Sequence, residues 1–574
     1  MLESHRDAPR RRWLRILGVL TVAAMVAAAC GGSGGGGGGG ETGARFDEPP
    51  ANEGTPKRGG KVVYGLEAET GGGWCLPVAQ LAAGGIQVAG AIYDTLTVPA
   101  SDGEGGVKYV PYLAESVEHN DTYTEWTITV REGVTFHDGT PLTAEIVKQN
   151  LDAYKAGLLF QFVFGDDVQS VDVVDELTVR VTTRVPWVAY DALLWATGRL
   201  GIAAPAQLAN QETCPRNLIG TGPYRITNCE NTDCGWTPND KFVAEANPDY
   251  WREDENGEKL PYLDSIEFRP VVDVAQRVNG LKGGELDLIH TTDGIQIDGL
   301  RRDAEAGTIN LFESDFAGET SYTMLNSSKA PFNNKSARLA AAYAVDRQEF
   351  VDITQNGVVE LAEQPFTEDN IAYVDPKELN FPEHDLDKAK DLVAQYKQET
   401  GQDLSFVLLS TTDPGTVKLA QLAQSQAEAA GMRVTINQVE QTQLINTALG
   451  GEFDAVLWRN HPGGDPDTQL VWWRSANNAG ARNLVNFGRI NDPELDQLLI
   501  DGRSETDPAR RQEIYQDVSK RFADEAYNLW GWYTLWAFAS GSEVKGVFPP
   551  TLPGGDEPVV IASVQPTVGL WVDQ

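Results

Sequence analysis

The sequence predicts an α/β fold, from two local patterns and from the size of the chain. Between residues 385 and 460, strand-like segments alternate with helix-like segments across short loops. This alternation is typical of a parallel sheet with helices on its faces. Alternating polar and apolar residues between 61 and 182 predict further strands closed by tight turns. The 574 residues, 41% of them hydrophobic, are enough for roughly two to four domains.

The first third of the chain is predicted to hold short strands, one hairpin and one helix. Asp138 and Gly139 turn the chain, and Thr143 can cap the helix that follows. Asp175 and Glu176 separate the two strands of the hairpin. The predicted elements are a strand at 61–66, a loop at 71–74, a strand, turn and strand within 123–137, the helix from 143 to 155, and the hairpin of 171–174 with 177–182.

The stretch from 385 to 460 shows the α/β pattern most clearly. Its predicted elements are a helix from Asp385 or Asp387 to Gly401, a strand at 404–409, a helix from Pro414 to Gly431, a strand at 433–439, a helix at 442–449 and a strand at 453–458. In open α/β sheets, ligands bind beyond the carboxyl ends of the strands. The segment 459–467 follows the third strand, so we predict that it binds the ligand together with Trp458 at the strand end.

The first 59 residues predict export and a lipid anchor. Five arginines among the first 15 residues precede an apolar run, 16–29, that is too short to cross a bilayer, so residues 1–29 form a predicted signal peptide. The arginines fit a twin-arginine signal and an arginine-rich Sec signal equally. Cys30 follows small residues, as in a bacterial lipobox, and we predict its acylation; an ordinary secreted protein is the alternative. The segment 30–59 is therefore a lipidated cysteine followed by a flexible glycine-rich tether, with a reach of about 30 Å.

The charge of the chain excludes one class of partner. The net charge is −37, and removal of residues 1–29, with five arginines and two acids, leaves 41 basic and 81 acidic residues, a net charge near −40. Such a surface repels phosphate backbones, so we expect no nucleic-acid partner. We expect the protein outside the cytoplasm, where the lipid on Cys30 binds it to the bilayer at the outer face of the cell membrane, or in the periplasm.

Four cysteines remain after Cys30, and their even number outside the cytoplasm predicts two disulfides. Cys229 and Cys234 can close a small loop, which leaves Cys75 and Cys214 as the second pair. A metal site is the alternative, but no histidine lies near these cysteines in the sequence. We therefore predict disulfides and no metal.

No catalytic constellation is visible in the sequence. Five histidines remain after residue 29, without an H-E-x-x-H motif or a zinc-like pair. A G-x-S-x-G match in the tether lacks the strand and helix that a hydrolase elbow requires. His137 is predicted to be a turn residue held by hydrogen bonds rather than a base. We predict a protein without enzymatic activity or cofactor, and an anchored hydrolase is the alternative.

Six segments between residues 93 and 347 indicate a protein family more specifically than the composition does. They begin at Tyr93 (YDTL), Tyr109 (YVPYLAES), Trp126 (WTITVREGVTFHDGTPLTA), Gly220 (GTGPY), Asn247 (NPDYW) and Leu325 (LN, with AAAYAVDR at 340–347). In order and spacing, the chain from about residue 60 to its end resembles the extracellular solute-binding proteins of ABC importers for oligopeptides, dipeptides and nickel.

The resemblance implies a periplasmic-binding-protein-like fold, in which two main α/β lobes surround a ligand cleft and a smaller domain is inserted. Lobe I is discontinuous and comprises 60–98, 216–317 and 536–574; lobe II is the insertion 99–215; lobe III comprises 318–535. The lobes close over a small solute, first of all an oligopeptide or dipeptide, and the closed form docks on the membrane permease of an ABC importer. We expect the receptor to be a monomer.

One departure from the family pattern bears on the ligand. In peptide-binding relatives, an aspartate three residues after the tryptophan of the third strand holds the peptide α-ammonium; here the tryptophan is Trp458 and the position is His461. A neutral imidazole is a poor partner for an ammonium ion, so we expect blocking of a peptide N-terminus to matter less than in those relatives. Asp465 and Asp467 match the family's Asp-Pro-Asp, and either could substitute if the loop folds back. An oligosaccharide or a metal chelate is the alternative ligand.

The predicted ligand-binding residues combine the loop after the first strand, two of the family segments and the segment after the third strand. They are Gly72, Gly73, Trp74, Tyr93, Asn326, Trp458, Asn460, His461, Gly463, Asp465 and Asp467. Tryptophan suits stacking against a peptide or a sugar.

Overall fold

Three sheets, of eight, five and four strands, form the framework of the residues that the structure describes. The computed structural model describes residues 54–69, 73–157, 160, 161, 164, 167–226, 235–460, 463–475 and 485–573. The predictions for the signal peptide, for Cys30, Gly72, Cys229, Cys234 and His461, and for most of the tether lie outside the described residues.

Short strands and helices alternate along the described chain. The strands are β1 (Lys61–Leu66), β2 (Thr97–Ser101), β3 (Val107–Pro111), β4 (Ala114–His119), β5 (Glu125–Val130), β6 (Val168–Val173), β7 (Thr178–Thr183), β8 (Tyr224–Arg225), β9 (Trp236–Thr237), β10 (Lys241–Ala246), β11 (Ser265–Pro270), β12 (Leu288–Thr291), β13 (Ile309–Ser314), β14 (Thr320–Leu325), β15 (Ser405–Thr411), β16 (Arg433–Val439), β17 (Ala455–Arg459), β18 (Asn528–Tyr533), β19 (Trp536–Gly541), β20 (Val544–Lys545) and β21 (Trp571–Val572). The α-helices are α1 (Ala83–Ile92), α2 (Ala144–Ala156), α3 (Tyr190–Trp195), α4 (Pro205–Leu208), α5 (Val274–Gly283), α6 (Gly294–Glu305), α7 (Lys335–Ala344), α8 (Arg347–Thr354), α9 (Leu386–Thr400), α10 (Pro414–Ala429), α11 (Gln441–Gly450), α12 (Leu470–Trp473), α13 (Pro493–Ser504) and α14 (Pro508–Glu525). Among the described helices, none is both long enough and apolar enough to cross a membrane.

The eight-stranded sheet collects strands from widely separated parts of the chain. Its order is β13-β19-β12-β1-β11-β10-β8, with β9 paired to β10. Strand β1 runs parallel to β11 and β12, whereas β19 runs antiparallel to β12 and β13. All of these strands come from the ranges predicted for lobe I. The lobe boundaries themselves stay a prediction.

The five-stranded sheet confirms the strand–helix alternation predicted for 385–460. Its order is β16-β15-β17-β14-β18, and β15 runs parallel to β16 and β17. Helix α9 follows Asp385, whose carboxylate accepts the backbone N–H of Lys388, and ends at Gly401, which has a φ of 74°. Glycine adopts that left-handed conformation at a helix end without a steric penalty. Strand β17 continues to Arg459, one residue beyond the prediction.

The four-stranded sheet is antiparallel throughout and has the order β4-β5-β7-β6. The predicted hairpin is confirmed as β6 and β7. The prediction of a second strand at the end of 123–137 is wrong. Gly133 and Gly139, with φ values of 80° and 83°, turn the chain on both sides, so that only an isolated bridge forms between Thr135 and Pro141.

Asp94 ties together three of the segments on which the family resemblance rests. Its Oδ2 accepts hydrogen bonds from Thr221 Oγ1 and Trp251 Nε1, both at 2.9 Å, and its Oδ1 accepts one from the hydroxyl of Tyr250 at 3.2 Å. Burial raises the pKa of Asp94, and the hydrogen bonds from Trp251, Thr221 and Tyr250 offset part of that rise. These segments therefore hold the fold together around a buried carboxylate.

His137 is held by hydrogen bonds, as predicted. Its Nε2 lies 3.0 Å from the carbonyl oxygen of Gly222, and its Nδ1 accepts the backbone N–H of Gly220 at 3.3 Å. Burial lowers the pKa of His137 to about 4, so the imidazole is neutral at pH 7.

One of the two predicted disulfides, Cys75–Cys214, lies within the described residues and is present. It joins positions 139 residues apart in the sequence. Next to it, Gln207 Nε2 donates hydrogen bonds to the carbonyl oxygens of Trp74 and Cys214 at 3.1 and 3.2 Å. The disulfide therefore fastens the loop after β1 to the segment that precedes β8.

We predict that Asp94→Ala lowers the free energy of unfolding by about 3 kcal/mol, because it leaves three donors without their acceptor in the interior. Urea unfolding at neutral pH, followed by circular dichroism, measures the change. Asp121→Ala, at an exposed position, is the control and should stay within about 0.5 kcal/mol of the wild type. A loss below about 1 kcal/mol for Asp94→Ala would contradict the role assigned to this carboxylate.

Candidate functional site

A cavity of about 850 Å³ lies between the eight-stranded and the five-stranded sheets. Glu67, directly after β1, and Thr291, at the end of β12, line it from the first sheet, and Thr411 and Arg459, at the ends of β15 and β17, line it from the second. Four strands therefore present their carboxyl ends to the cavity, which is where ligands bind in open α/β sheets.

An aromatic wall forms one side of the cavity and consists of Tyr322, Trp458, Trp472, Phe487 and Trp530. Tyr322 pairs with Trp458 on β17 and with Trp530 on β18, so three aromatic side chains stand in one row across the sheet. The ring centroids of Tyr322 and Trp530 are 4.7 Å apart, and Phe487 lies 5.2 Å from Trp458 and 5.8 Å from Trp472. Tilted contacts of this kind build a large apolar surface of defined geometry.

Arg459 joins the two sheets at the cavity. Its Nη2 lies 2.5 Å from Oε1 of Glu67, although the two residues are 392 positions apart in the sequence. Its Nη1 donates a hydrogen bond to Thr292 Oγ1 at 3.3 Å, and its Nε is 3.7 Å from Oε2 of Glu319. The guanidinium also lies over the ring of Trp536, 4.9 Å from the ring centroid. One cation therefore faces two carboxylates.

The two carboxylates beside Arg459 differ in their electrostatics. Burial raises the pKa of Glu67, but the charge and hydrogen bond of Arg459, together with the smaller effects of His290 and Arg277, outweigh burial, and the pKa lies below its ordinary value. Burial also raises the pKa of Glu319; there Arg459 is farther away and Glu67 adds repulsion, so the pKa stays above its ordinary value. Glu67 is the close partner of Arg459, and the charge of Glu319 is only partly compensated.

His290 positions Glu67 from the interior of the first sheet. Its Nε2 accepts the backbone N–H of Glu67 at 3.0 Å, and its ring centroid lies 5.7 Å from that of Tyr64 and 5.3 Å from that of Trp536. Burial lowers the pKa of His290 to about 3, so the imidazole is neutral and can accept this hydrogen bond.

Two of the predicted ligand-binding residues, Trp458 and Asn460, are among the described residues that line the cavity. Trp458 belongs to the aromatic wall. Asn460 holds the end of β17 in place, because its Nδ2 donates to the carbonyl oxygen of Pro365 at 3.1 Å and its Oδ1 accepts the backbone N–H of Thr320.

Two predicted aromatic contacts lie in the interior instead. Trp74 is 1% exposed and packs edge-on against Trp236 and Phe242. The hydroxyl of Tyr93 donates a hydrogen bond to Gln207 at 2.9 Å. Neither side chain is among the described residues of the cavity lining, because both are covered by the core of the molecule.

Three smaller predicted residues serve loop geometry. A Cβ on Gly73 would lie 2.7 Å from Cβ of Pro215, and a Cβ on Gly463 would lie 2.7 Å from Oγ1 of Thr468. Asn326 donates from Nδ2 to two backbone carbonyls of the loop before β17, at 2.9 and 3.0 Å. Within the described part of the chain, none of the three lines the cavity.

The carboxylates of the Asp-Pro-Asp segment are bound by arginines. Asp465 accepts two hydrogen bonds from Arg511, at 2.7 and 2.8 Å. Asp467 accepts Nε of Arg503 at 2.9 Å and the indole N–H of Trp187 at 2.7 Å. Because both carboxylates are used in this way, the expectation that one of them could replace the acid missing at position 461 is not met in this structure.

Most of the polar lining was missed by sequence analysis. Arg459 is the first residue of the segment 459–467 that was predicted to bind the ligand, and it lines the cavity. Glu67 could have been found, because it stands at the carboxyl end of a predicted strand. Glu319 and Trp530 had no comparable signal, since their place depends on the pairing of β14 with β17 and β18. No group of three or more His, Cys, Asp or Glu residues in the described chain is arranged to hold a metal ion.

Comparisons with known proteins agree with this architecture. The model of the bacterial extracellular solute-binding proteins, family 5 Middle, matches residues 108–481. The probable D,D-dipeptide-binding periplasmic protein DdpA of Escherichia coli K12 is 27% identical over 80% of this chain and 86% of its own. The structure of DppA from Helicobacter pylori in complex with the peptide STSA has a TM-score of 0.76 and 22% identity, and the match covers 90% of this chain and 99% of DppA. AgaA from A. tumefaciens R10, in complex with agropinic acid, has a TM-score of 0.74 and 25% identity over 86% of this chain and 96% of AgaA.

We predict that Arg459→Met lowers the free energy of unfolding at pH 7.5 by about 3 kcal/mol, because Glu67 and Glu319 then lose the cation nearest to them in a site with little access to water. In the variant both carboxylates have pKa values above those of the unfolded chain, so the folded state binds protons more readily. The difference in the free energy of unfolding between the wild type and the variant should therefore shrink as the pH falls from 7.5 towards 5. Urea unfolding across this range measures it.

The control for this experiment is Arg433→Met, which removes an exposed arginine of β16 that pairs with Asp403. We expect a change below about 1 kcal/mol for the control at every pH. If the loss of unfolding free energy in Arg459→Met grew on acidification, the result would contradict the ion cluster of Arg459 with Glu67 and Glu319.

Proposed function

We propose, for a chain that belongs to the bacterial extracellular solute-binding proteins of family 5, that the cavity captures an oligopeptide or dipeptide for delivery to a membrane permease. The family consists of solute-binding proteins of ABC importers that act outside the cytoplasm. The observation that most supports a captured solute is the cavity of about 850 Å³, whose lining combines the aromatic wall with the cluster of Glu67, Arg459 and Glu319. Ligand sites typically have volumes of about 300–1,000 Å³, with a few placed polar groups on an apolar lining.

Two relatives support a peptide as the solute. DdpA is named as a probable D,D-dipeptide-binding protein, and DppA was solved with the peptide STSA. A peptide matches the lining chemically, because its backbone offers donors and acceptors to the charged cluster and its side chains can lie against the aromatic wall.

Capture in this cavity links the two sheets. A ligand between the sheets contacts β1 and β12 on one side and β14, β17 and β18 on the other. The ligand stabilises the closed arrangement, in which it contacts both sheets at once. The free energy gained on closure is that of the contacts that the ligand makes in the closed arrangement and lacks in the open one. This process breaks no covalent bond, and we propose that the protein is not an enzyme.

The N-terminal segment supports a place close to the membrane. We propose that residues 1–29 are removed, that Cys30 is acylated, and that the segment 30–59 holds a monomeric receptor at the outer face of the membrane. More than one acyl chain is needed for lasting attachment, since each buried CH₂ contributes roughly 0.8 kcal/mol. The disulfide Cys75–Cys214 is in keeping with an oxidising compartment.

A non-peptide solute is the second candidate. AgaA, which is 25% identical to this chain, was solved with agropinic acid. Stacking on the aromatic wall also suits a sugar ring, so an oligosaccharide stays in this group, together with a metal chelate.

We predict that peptides of two to five residues raise the melting temperature of the purified protein, because a ligand that binds only the folded state at 100 times its Kd adds about 2.7 kcal/mol of stability. Thermal unfolding with separate pools of peptides, oligosaccharides and metal chelates, and with agropinic acid, measures this. Stabilisation by a non-peptide pool alone would favour the second candidate. Stabilisation by none of the pools would contradict a receptor function.

We predict that Trp458→Leu weakens the binding of a stabilising ligand roughly 10- to 100-fold, because it removes a partly exposed indole ring of the aromatic wall. Titration followed by intrinsic fluorescence or calorimetry measures the Kd. Trp236→Leu is the matched control, since Trp236 is partly buried against Trp74 and is not among the described lining residues. Equal losses of affinity for the two variants would contradict a direct contact of Trp458 with the ligand.

A further inference from the structure

Helix α11 and the loop between β1 and α1 meet at one edge of the cavity. Leu444 and Ile445 of α11 line the cavity from one side, and Gln80 and Leu81 of the loop line it from the other. Next to them, Gln80 Nε2 donates a hydrogen bond to Oδ1 of Asn446 at 3.0 Å, although the two residues are 366 positions apart in the sequence. This contact therefore spans the edge of the cavity.

The hydrogen bond between Gln80 and Asn446 is a weak fastening. Asn446 is exposed to solvent, and Gln80 is partly exposed. Oε1 of Gln80 is buried and accepts no hydrogen bond from the described residues. A bond between two neutral amides that water can reach contributes little to stability, and a buried acceptor without a donor costs free energy. The contact can therefore break and form again.

The N-terminal turn of α11 is held less firmly than those of the two helices before it. Asp385 and Asp413 cap α9 and α10, because the carboxylate of each accepts a backbone N–H of its helix. Glu440, at the same position before α11, makes no such side-chain hydrogen bond to the described residues. Residues 441–443 are polar, and none of the three is buried. A turn without a cap and without a buried side chain opens at a low cost in free energy.

The C-terminal end of α11, in contrast, is fixed. Nη2 of Arg489 donates hydrogen bonds to the carbonyl oxygens of Ala448 and Leu449, at 3.2 and 2.5 Å. The side chain of Ala448 is fully buried. Gly451, with a φ of 69°, ends the helix in the left-handed conformation. The helix is therefore anchored at one end and loose at the other.

We propose that the N-terminal part of α11, residues 441–446, is a lid on the cavity and that Gln80 is its latch. The lid lifts to admit a ligand, and the bond between Gln80 and Asn446 forms again when the lid lies over the bound ligand. The proposal rests on the proposed function and adds to it a route for ligand exchange. The ion pair of Arg459 with Glu67, which joins the two sheets, stays intact while the lid moves.

The motion of the lid is tested by hydrogen exchange of the ligand-free, full-length protein, read by mass spectrometry with fragmentation to single residues. The amides of 444–446 donate within the helix, so they exchange when the lid opens. We expect them to exchange at least tenfold faster than the amides of 422–427, in the middle of α10. Gln80→Ala is expected to raise the rate for 444–446 at least a further threefold and to leave that of α10 unchanged. Gln402→Ala, which removes an exposed glutamine after α9, is the control and should match the wild type.

The role of the lid in ligand exchange is tested with the double variant Gln80→Cys and Asn446→Cys, joined by a short bismaleimide crosslinker. The probe is an equimolar pool of di- and tripeptides, and the peptides retained after gel filtration are counted by mass spectrometry. Protein that is crosslinked before it meets the pool is expected to retain less than one tenth of what the uncrosslinked variant retains. Protein that is loaded first and crosslinked afterwards is expected to retain at least tenfold more peptide through dialysis.

Each alternative outcome has a separate meaning. Equal exchange rates in α11 and α10 would overturn the lid and leave a receptor that admits its ligand by separation of the two sheets. An unchanged rate in Gln80→Ala would overturn the latch, and full loading of the protein crosslinked beforehand would overturn the route of entry. Retention of no peptide by the uncrosslinked variant and the wild type would contradict the proposed peptide ligand, whereas the exchange rates, measured without any ligand, would still decide the lid.

Discussion

The guanidinium of Arg459 reaches from the carboxyl end of β17 to Glu67 at the carboxyl end of β1, so that one ion pair joins two sheets built from distant parts of the chain. Replacing a buried ion pair with apolar groups is often neutral for stability, because desolvation costs about as much as the attraction contributes. Its value here is geometrical. The pair requires one relative placement of the two strand ends, and the cavity lies between them.

The neighbouring residue uses the opposite face of the same strand. Successive side chains of a strand point to opposite faces. Because the cavity lies at the carboxyl end of β17, Trp458 and Arg459 both line it, from opposite faces of the strand. Trp458 joins Tyr322 and Trp530 in the aromatic row, whereas Arg459 turns towards Glu67 in the other sheet. A two-residue segment therefore supplies both the apolar and the charged half of the site, and a shift of register by one residue would exchange them.

Local patterns predicted the elements between 385 and 460 well, because each depends on signals a few residues apart. Asp385 and Gly401 mark the ends of α9 by capping and by a left-handed conformation, and both act within one turn. The second strand predicted within 123–137 did not form for the same kind of reason, since Gly133 and Gly139 leave too few residues between two turns to pair with a neighbour. The family segments predicted the fold correctly, and Asp94 shows why: its hydrogen bonds join three of them.

The sequence by itself determined the α/β class, the family and the strand end at which the cavity lies. Each of these depends on signals within short segments: the periodicity of apolar residues, the helix caps, and the position of strand ends, beyond which ligands bind in open α/β sheets. Only the tertiary structure decided which side chains meet there. Asp465 and Asp467 are carboxylates within the segment predicted to bind the ligand. In the structure they accept hydrogen bonds from Arg511 and Arg503, which lie on later helices. Glu319 carries no motif and becomes part of the site because β14 pairs with β17. Charges compensate according to distance in space, and the distances between residues hundreds of positions apart exist only once the sheets have formed.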